Sequence, residues 1–358
     1  MLRGLRYLLA ATALVLAPSQ SSPEHDGLRA AYSRPVAAWP APRLDDNVAF
    51  IEFAPLPPVA MTDADQRKAH LGARLFADPA LSVNGALSCA SCHDPASGFT
   101  IPRANAHGHD GTPGLRNPTA LLDTPARSAF GWDGAPASLS KRMLMPLTDA
   151  SEMGNASLGD VIFRIESAPD YRAAFTSAFQ AEGIDAARLA ETLTAYISAQ
   201  TRPNRFDRFL TGDHGSLSDI EIRGLHLFRT PAGCANCHFG PRLTDDGFHN
   251  LRLSSFREPR EDLGRYRVTR RLQDIGRFQT PSLRRVADTA PYMHHGHVRD
   301  LEGVVNFYAR GGGEVWARNA REATDPMYPH AAALSPHIRP LDLDAEERAA
   351  LVAFLKTL

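Results

Sequence analysis

The stretch Cys89-Ala90-Ser91-Cys92-His93 decides how this chain is expected to fold, and a second copy, Cys234-Ala235-Asn236-Cys237-His238, follows it downstream. Two cysteines at this spacing can each form a thioether with one vinyl group of a haem, and the following histidine can then ligate the iron. The two motifs contain all four cysteines of the chain, so no thiol remains for a disulfide. The pattern therefore predicts two covalently attached c-type haems.

Other uses of the cysteines must be weighed against haem attachment. Two Cys-x-x-Cys pairs can form a four-sulfur zinc site, and one pair can act as a redox dithiol. Structural zinc pairs usually lie closer together in sequence, and neither alternative requires a histidine after both pairs. Haem attachment is therefore favoured. The residues predicted to hold the first haem are Cys89, Cys92 and His93, and those predicted to hold the second are Cys234, Cys237 and His238.

Length and composition indicate an ordinary globular protein. The chain has 358 residues, which suits one large or two medium domains. The formal net charge is -1, so nothing indicates a nucleic-acid or polyanionic partner. The 27 prolines and 26 glycines are scattered along the chain, which favours a loop-rich protein with helices over a disordered one.

The N-terminus has the pattern of a secretory signal peptide, predicted over residues 1–17. Arg3 and Arg6 precede a short apolar run over residues 8–16, and Val15-Leu16-Ala17 offers a small-residue cleavage site. The run is too short to predict a membrane-spanning helix, although an uncleaved anchor is the alternative. We expect a periplasmic protein without stable membrane insertion, in agreement with attachment of c-type haem outside the bacterial cytoplasm.

The rest of the chain predicts helices and two related halves. Residues 18–45 are polar and predict a linker or an early wrapping segment. The pattern Gly72…Leu75-Phe76 before the first motif recurs as Gly224…Leu227-Phe228 before the second, a weak internal repeat. Helices are predicted from Thr62 to Asp78-Pro79, from Ser138-Leu139, over residues 161–165, 171–179 and 187–198, after Ser218, and over residues 344–358. The predicted domains are residues 46–205 and 206–358.

The residue filling the second axial position of each iron decides between chemistry and electron transfer. His107 and His109 lie in a glycine-rich loop just after the first motif, where glycine lets a loop approach or leave an iron. The residue pattern alone does not choose among the candidates for the second iron. These are Met293, His294, His295, His297 and Tyr308.

Residues 65–358 resemble a known family, the bacterial dihaem cytochrome c peroxidases, with the MauG-type enzymes as a branch. The resemblance implies a mostly α-helical fold, in which two cytochrome c-like haem domains pack around a shared interface. Besides the two haem motifs, the stretches that carry it are Arg116-Asn117-Pro118-Thr119, Gly131-Trp132-Asp133-Gly134, Ser151-Glu152-Met153-Gly154, Thr289-Ala290-Pro291-Tyr292-Met293-His294 and Phe307-Tyr308-Ala309-Arg310-Gly311-Gly312.

The resemblance also implies roles for single residues. Trp132 would be the electron bridge between the haems, although a core tryptophan is the plainer interpretation. Glu152 would move a proton during O–O cleavage, although a carboxylate beside a serine can also be a helix cap. A calcium ion would be bound partly by Asn117, Thr289 and Pro291, since oxygen ligands suit calcium.

Several positions bear on the branch of the family. Tyr308 stands where the peroxidases have a methionine that ligates the second haem and where MauG-like members have tyrosine. A tyrosinate ligand favours ferric and higher oxidation states. His109 matches the histidine that caps the first haem in resting peroxidases, with His107 as a rival. Arg142 replaces the usual glutamine of the family.

These features predict a periplasmic peroxidase that reduces hydrogen peroxide. The first, N-terminal domain would be peroxidatic, and the second would pass electrons from a small cytochrome or a cupredoxin. One alternative is a MauG-like oxidase that uses peroxide to oxidise a partner protein. Another is a non-enzymatic dihaem electron-transfer cytochrome, in which both irons would be permanently six-coordinate.

Overall fold

The computed structural model describes residues 23–124, 127, 129–135 and 138–358. The predicted signal peptide, residues 1–17, lies outside the described residues. Within the described part, no helix combines the length and the apolar character that crossing a membrane requires.

The described residues are mostly helical, as predicted, with one small antiparallel sheet. Strands β1 (Phe248–Asn250) and β2 (Arg277–Gln279) pair with Phe248 opposite Gln279. The helices are α1 (Pro23–Tyr32), α2 (Asp63–Ala77), α3 (Leu139–Thr148), α4 (Leu158–Ser167), α5 (Pro169–Phe179), α6 (Ala186–Ser198), α7 (Arg205–Leu210), α8 (Asp219–Arg229), α9 (Tyr266–Thr269), α10 (Leu301–Ala309), α11 (Ala320–Ala323), α12 (Tyr328–Ala332) and α13 (Ala345–Leu355).

Capping side chains set the helix starts that the sequence predicted. Thr62 accepts a hydrogen bond from the Asp65 backbone at 3.1 Å, and the Asp65 carboxylate accepts one from the Thr62 backbone at 3.0 Å. Ser218 with Glu221, and Asp344 with Glu347, form the same reciprocal box at α8 and α13. Helix α4 begins at residue 158 and not at 161, because Ser157 caps it.

The first half is built on the crossing of α2 and α6. At Gly72 the two backbones approach so closely that a Cβ atom there would lie 2.3 Å from the Thr192 carbonyl oxygen. Only glycine permits this contact. The crossing closes a buried apolar cluster, the first core, which lies within residues 71–197. Its members include Leu71, Leu75, Phe76, Leu189, Leu193 and Ile197.

The second half repeats this arrangement with α8 and α13. A Cβ atom on Gly224 would lie 2.0 Å from the Ala350 carbonyl oxygen. The predicted internal repeat therefore corresponds to the same helix packing in both halves. In each half, a glycine on the helix before the motif lets a later helix approach closely. The second core includes Phe206, Leu225, Phe228, Leu351 and Phe354.

The segment predicted as a linker or an early wrapping segment, residues 18–45, contributes to the second core over its described part, residues 23–45. It contains α1, and the buried side chains of Tyr32 and Trp39 belong to that core, as does Phe53 farther along. Arg229, which is fully buried, donates to the Glu52 carboxylate at 3.0 Å and lies over the rings of Trp39 and Phe53. Pairing a buried guanidinium in this way ties residues 39–53 to α8. The division into domains at residue 206 stays a prediction.

The two halves are joined by buried charges. Arg284 contacts Asp123 of the first half at 3.3 Å and Asp207 at 3.1 Å, and all three side chains are buried. Removing one partner of such a group leaves an uncompensated buried charge, so these contacts hold the halves in one arrangement.

The glycine contact at the α8–α13 crossing leads to a stability prediction. We expect Gly224→Ala to lower the free energy of unfolding of the haem-loaded protein by about 1–3 kcal/mol or more, because the added methyl group meets backbone. Urea unfolding followed by circular dichroism measures the change.

Gly159→Ala in α4 is the matched control. Its Cβ atom would meet only the Ser157 hydroxyl, at 3.3 Å. We expect no loss of stability in this variant, and a gain of up to about 1 kcal/mol from helix propensity. Equal effects of the two substitutions would contradict the close approach at Gly224.

Candidate functional site

The first motif forms a tight turn that orients its histidine. A single 3-10 turn spans Cys89–Ser91, and the His93 backbone N–H donates to the Cys89 carbonyl at 2.9 Å. The His93 Nδ1 atom lies 3.1 Å from the Phe99 carbonyl oxygen. Nδ1 therefore carries the proton, and the Nε2 lone pair is left for a metal. Burial lowers the pKa of His93 to about 4, so the imidazole is neutral, as iron ligation requires.

The second motif repeats these contacts. The turn spans Cys234–Asn236, the His238 N–H donates to the Cys234 carbonyl at 3.0 Å, and the His238 Nδ1 atom lies 2.9 Å from the Leu243 carbonyl oxygen. Burial lowers the pKa of His238 as well. Both histidines are thus neutral and oriented by the same kind of backbone bond.

The cysteine thiols fit haem attachment better than zinc or redox chemistry. Burial raises the pKa of the Cys89 and Cys234 thiols to about 12, so they are not reactive thiolates. Among the described residues, the two cysteine pairs do not meet in one cluster of potential metal ligands. A four-sulfur zinc site is therefore excluded for this fold.

A large cavity beside the second motif has the chemical character of a haem pocket. Cys234, Cys237 and His238 line it together with Tyr308, which α10 carries. Burial raises the pKa of the Tyr308 phenol, and the neighbouring thiols of Cys237 and Cys234 raise it further. The walls are otherwise mostly apolar, with Leu251, Leu253, Val286, Leu301, Val304, Val305, Leu341, Leu351 and Leu355. The two thiols can attach a haem c, and the imidazole can ligate its iron. The phenol can offer a second ligand, and the apolar walls suit the macrocycle.

The other predicted ligands of the second iron are distributed differently. Met293 and His294 also line the cavity. The His294 ring is buried and stacks on Phe278 at 3.6 Å between ring centroids. His295 and His297 stack on each other at 4.3 Å, and His297 is exposed.

Trp132 lies where the two halves meet. Its indole N–H donates to the Asn117 carbonyl at 2.9 Å, and its own carbonyl accepts from the Gln279 backbone at 2.9 Å. The Asn117 backbone N–H donates in turn to the His294 carbonyl at 2.7 Å. Trp132 is therefore held between residues of the first half and of the second half, on the wall of the cavity.

Arg116 holds the turn that carries Trp132, and sequence reasoning missed this role. Its guanidinium donates to Asp262 at 2.6 and 3.0 Å and to Asp133 at 2.6 Å. Asp262 is buried and belongs to the second half, whereas Asp133 follows Trp132 directly. The sequence signal was the arginine before Asn117, but its partners are distant in the chain.

The residues predicted to bind calcium contribute to the lining of the cavity. Asn117, Thr289 and Pro291 all line the cavity. The Asn117 amide donates to the carbonyls of Arg103 and Ala104, each at 3.2 Å. The calcium site stays a prediction.

Glu152 lies beside the first motif. Its half-buried carboxyl follows α3, and burial raises its pKa, with Arg142 opposing the rise and Asp149 adding to it. Burial raises the pKa of both cysteines of the motif, Cys89 and Cys92, and the negative charge of Glu152 raises it further. Asp149, and not Glu152, is the residue that ends α3. The position suits a proton-handling group.

His109 and His107 have different surroundings. The His109 backbone N–H donates to the Glu152 carbonyl at 2.8 Å, and a Cβ atom on Gly154 would lie 2.3 Å from His109 Nε2. The ring of His109 therefore packs on the turn that carries Glu152. His107 is exposed. This arrangement favours His109 over His107 as the group near the first motif, although ligation by His109 stays a prediction.

Comparison with known proteins agrees with this site. The family model for di-haem cytochrome c peroxidase matches residues 66–215. The chain is 31% identical over 339 residues to cytochrome-c peroxidase IdrP1 of Pseudomonas sp. (strain SCT), covering 86% of this chain and 85% of that protein. It is 34% identical over 298 residues to the methylamine utilization protein MauG of Methylorubrum extorquens, covering 81% of this chain and 78% of that protein.

A solved structure shares the fold over nearly the whole chain. The crystal structure of a MauG-like protein associated with microbial copper homeostasis superposes with a TM-score of 0.73 at 33% identity, covering 87% of this chain and 94% of that one. The two oriented histidines, the cavity chemistry and these similarities lead to one conclusion. The chain belongs to the di-haem cytochrome c peroxidase family, a family of oxidoreductases that carry two haem c groups.

Proposed function

We propose that this protein is a periplasmic peroxidase that reduces hydrogen peroxide to two molecules of water, taking two protons and two electrons. The observation that carries the proposal is the asymmetry between two otherwise equivalent motifs. Both histidines are neutral and oriented alike, but Glu152 lies beside the first motif and Tyr308 beside the second. One site is equipped for proton transfer, and the other offers a phenol whose anion favours ferric and higher oxidation states of a haem iron.

The residues that would hold the cofactors belong to the two motifs and to α10. Cys89, Cys92 and His93 would hold the first haem, and Cys234, Cys237 and His238 would hold the second. Tyr308 would be a further ligand of the second haem. When bound, the first haem supplies the redox-active iron at which the peroxide bond is cleaved.

Glu152 serves as the proton-transfer group. Because burial raises its pKa, the carboxyl keeps its proton to a higher pH than an exposed glutamate does. A protonated carboxyl close to the peroxide site can give its proton to the departing oxygen and recover it from solvent. Arg142, which opposes the rise in pKa, keeps Glu152 able to ionise.

Trp132 is the path for electrons between the two sites. Its backbone and indole bonds fix the ring between the halves, and Arg116 holds the turn on which it lies. The external donor is a small cytochrome or a cupredoxin. A calcium ion at Asn117, Thr289 and Pro291 would stiffen the same junction.

A second candidate function is favoured by Tyr308 specifically. An anionic tyrosinate lowers the reduction potential of a haem, which favours ferric and higher oxidation states. A protein with this ligand can oxidise a partner protein with peroxide, as a MauG-like enzyme would. The similarity to peroxidases and to MauG, together with Glu152, favours an enzyme over the non-enzymatic electron-transfer cytochrome.

Peroxide addition to two redox states separates the candidates. We expect the half-reduced haem-loaded protein to consume peroxide, as followed by stopped-flow haem absorbance. Rapid reaction of the fully oxidised protein would favour the MauG-like oxidase with an open first site. Absence of reaction in both states would sink the enzymatic proposal.

Glu152→Gln tests proton transfer. We expect peroxide turnover to fall about 100-fold or more, the lower end of what general acid–base catalysis contributes, while both haems stay attached. Steady-state assays measure turnover, and the mass of the protein reports haem content. The control is Glu182→Gln, since Glu182 is exposed. Unimpaired turnover of Glu152→Gln rules out the role.

Tyr308→Phe tests the axial ligand. We expect a changed spin state of the second haem and a higher midpoint potential, because an anionic ligand is lost. Electron paramagnetic resonance and spectroelectrochemistry measure both, and Tyr266→Phe in α9 is the control. An unchanged signal of the second haem would remove Tyr308 as the ligand.

A further inference from the structure

Three arginines reach the wall of the cavity beside the second motif, and two of them are already neutralised. Arg339 donates to the Asp45 carboxylate at 3.0 and 2.9 Å, and it lies close to Gly233, just before Cys234. Arg284 is paired with Asp207 and Asp123. Neither of these guanidinium groups lacks a carboxylate partner.

Arg127 is different. One of its terminal nitrogens donates to the Leu122 carbonyl at 3.1 Å, but its Nε atom is buried without a hydrogen-bond partner among the described residues. Leaving a buried charged donor unbonded is costly, and native structures rarely do so without a reason. Arg127 lines the cavity and, among the described residues, forms no ion pair, so its charge is available to an anion that the cavity receives.

The charges around Arg127 also leave room for a further anion beside it. Burial lowers the pKa of the Arg127 guanidinium, and Arg242 adds to the lowering, while Asp123 and Asp246 oppose it. The carboxylates nearby thus do not compensate fully for the loss of solvent. An additional anion in the cavity would complete the compensation.

The cofactor brings anions of a defined kind. A haem carries two carboxylates, its propionates, on the edge away from the two vinyl groups that join the cysteines. Arg339 lies at the cysteine end of the cavity, beside Gly233. Of the cavity arginines, Arg127 is the one without a carboxylate partner among the described residues, and guanidinium is suited to binding carboxylate.

We propose that Arg127 binds a propionate of the second haem. The proposal rests on attachment of that haem at Cys234 and Cys237. Arg127 is a positioning residue and not a catalytic one, because it acts on the cofactor edge and not on peroxide. It comes from the first half of the chain, so one half would hold the cofactor of the other, and Trp132 lines the same cavity.

This contact has an electrochemical consequence. A buried, unpaired propionate stabilises ferric iron and lowers the midpoint potential of its haem, whereas a bound guanidinium offsets that negative charge. Without the guanidinium, the propionate pKa rises, so reduction of the second haem becomes linked to proton uptake.

The experiment compares Arg127→Gln and Arg127→Lys with the unaltered haem-loaded protein. Spectroelectrochemistry at a series of pH values measures the midpoint potential of each haem. We expect Arg127→Gln to lower the potential of the second haem and to make it pH-dependent, with Arg127→Lys restoring most of the potential. The potential of the first haem is the internal control. An unchanged potential and pH profile of the second haem would overturn the proposal.

Asp123 is the other acidic group that could titrate, because its Oδ1 atom is buried without a partner among the described residues. The double variant Arg127→Gln with Asp123→Asn separates the two groups. Persistence of the pH dependence in the double variant supports the propionate, whereas its disappearance assigns the titration to Asp123 and refutes the proposal.

Two further measurements keep the result decisive. The mass of the protein reports whether two haems are attached, so failure of the underlying haem assignment is seen independently of Arg127. If Arg127→Gln does not yield haem-loaded protein, the propionate bending band in resonance Raman spectra of Arg127→Lys is measured. A shifted band supports the contact, and an unchanged band overturns it.

Discussion

Each half of the molecule depends on a helix crossing in which a glycine lets two backbones touch. Gly72 on α2 faces the Thr192 carbonyl, and Gly224 on α8 faces the Ala350 carbonyl. In both halves the motif follows the helix that carries the glycine, so the crossing determines where the cysteines and the histidine lie. The nearby backbone carbonyl then sets the histidine tautomer. The close packing at each glycine thus helps to place the histidine that would ligate the iron in the same half.

The two motifs are alike, but the residues around them differ. The first motif has the half-buried Glu152 carboxyl as a neighbour, and the second has the Tyr308 phenol in an otherwise apolar cavity. A carboxyl with a raised pKa can exchange a proton, whereas a phenol can offer an anionic ligand. One architecture used twice therefore provides two chemically different sites.

The junction of the halves contains buried polar groups. Arg284 and Arg116 each bind two carboxylates across or beside it. Such pairs contribute little net stability but penalise any arrangement that separates them. The Arg116 pairs hold the turn that carries Trp132. The proposed contact of Arg127 with a propionate would add a further charge pair between the first half and the cofactor of the second.

The local sequence determined the haem motifs, the helix starts and the repeated glycine pattern, because thioether spacing, capping and helical periodicity involve residues close in the chain. Trp132, Glu152 and Tyr308 were named through resemblance, and the tertiary structure shows what surrounds each of them. It alone decided that residues 32–53 pack on the second core, that Arg116 holds the turn of Trp132, and that the Nε atom of Arg127 has no hydrogen-bond partner among the described residues. These features depend on residues up to about two hundred positions apart, and on which buried charges find a partner once the chain has folded.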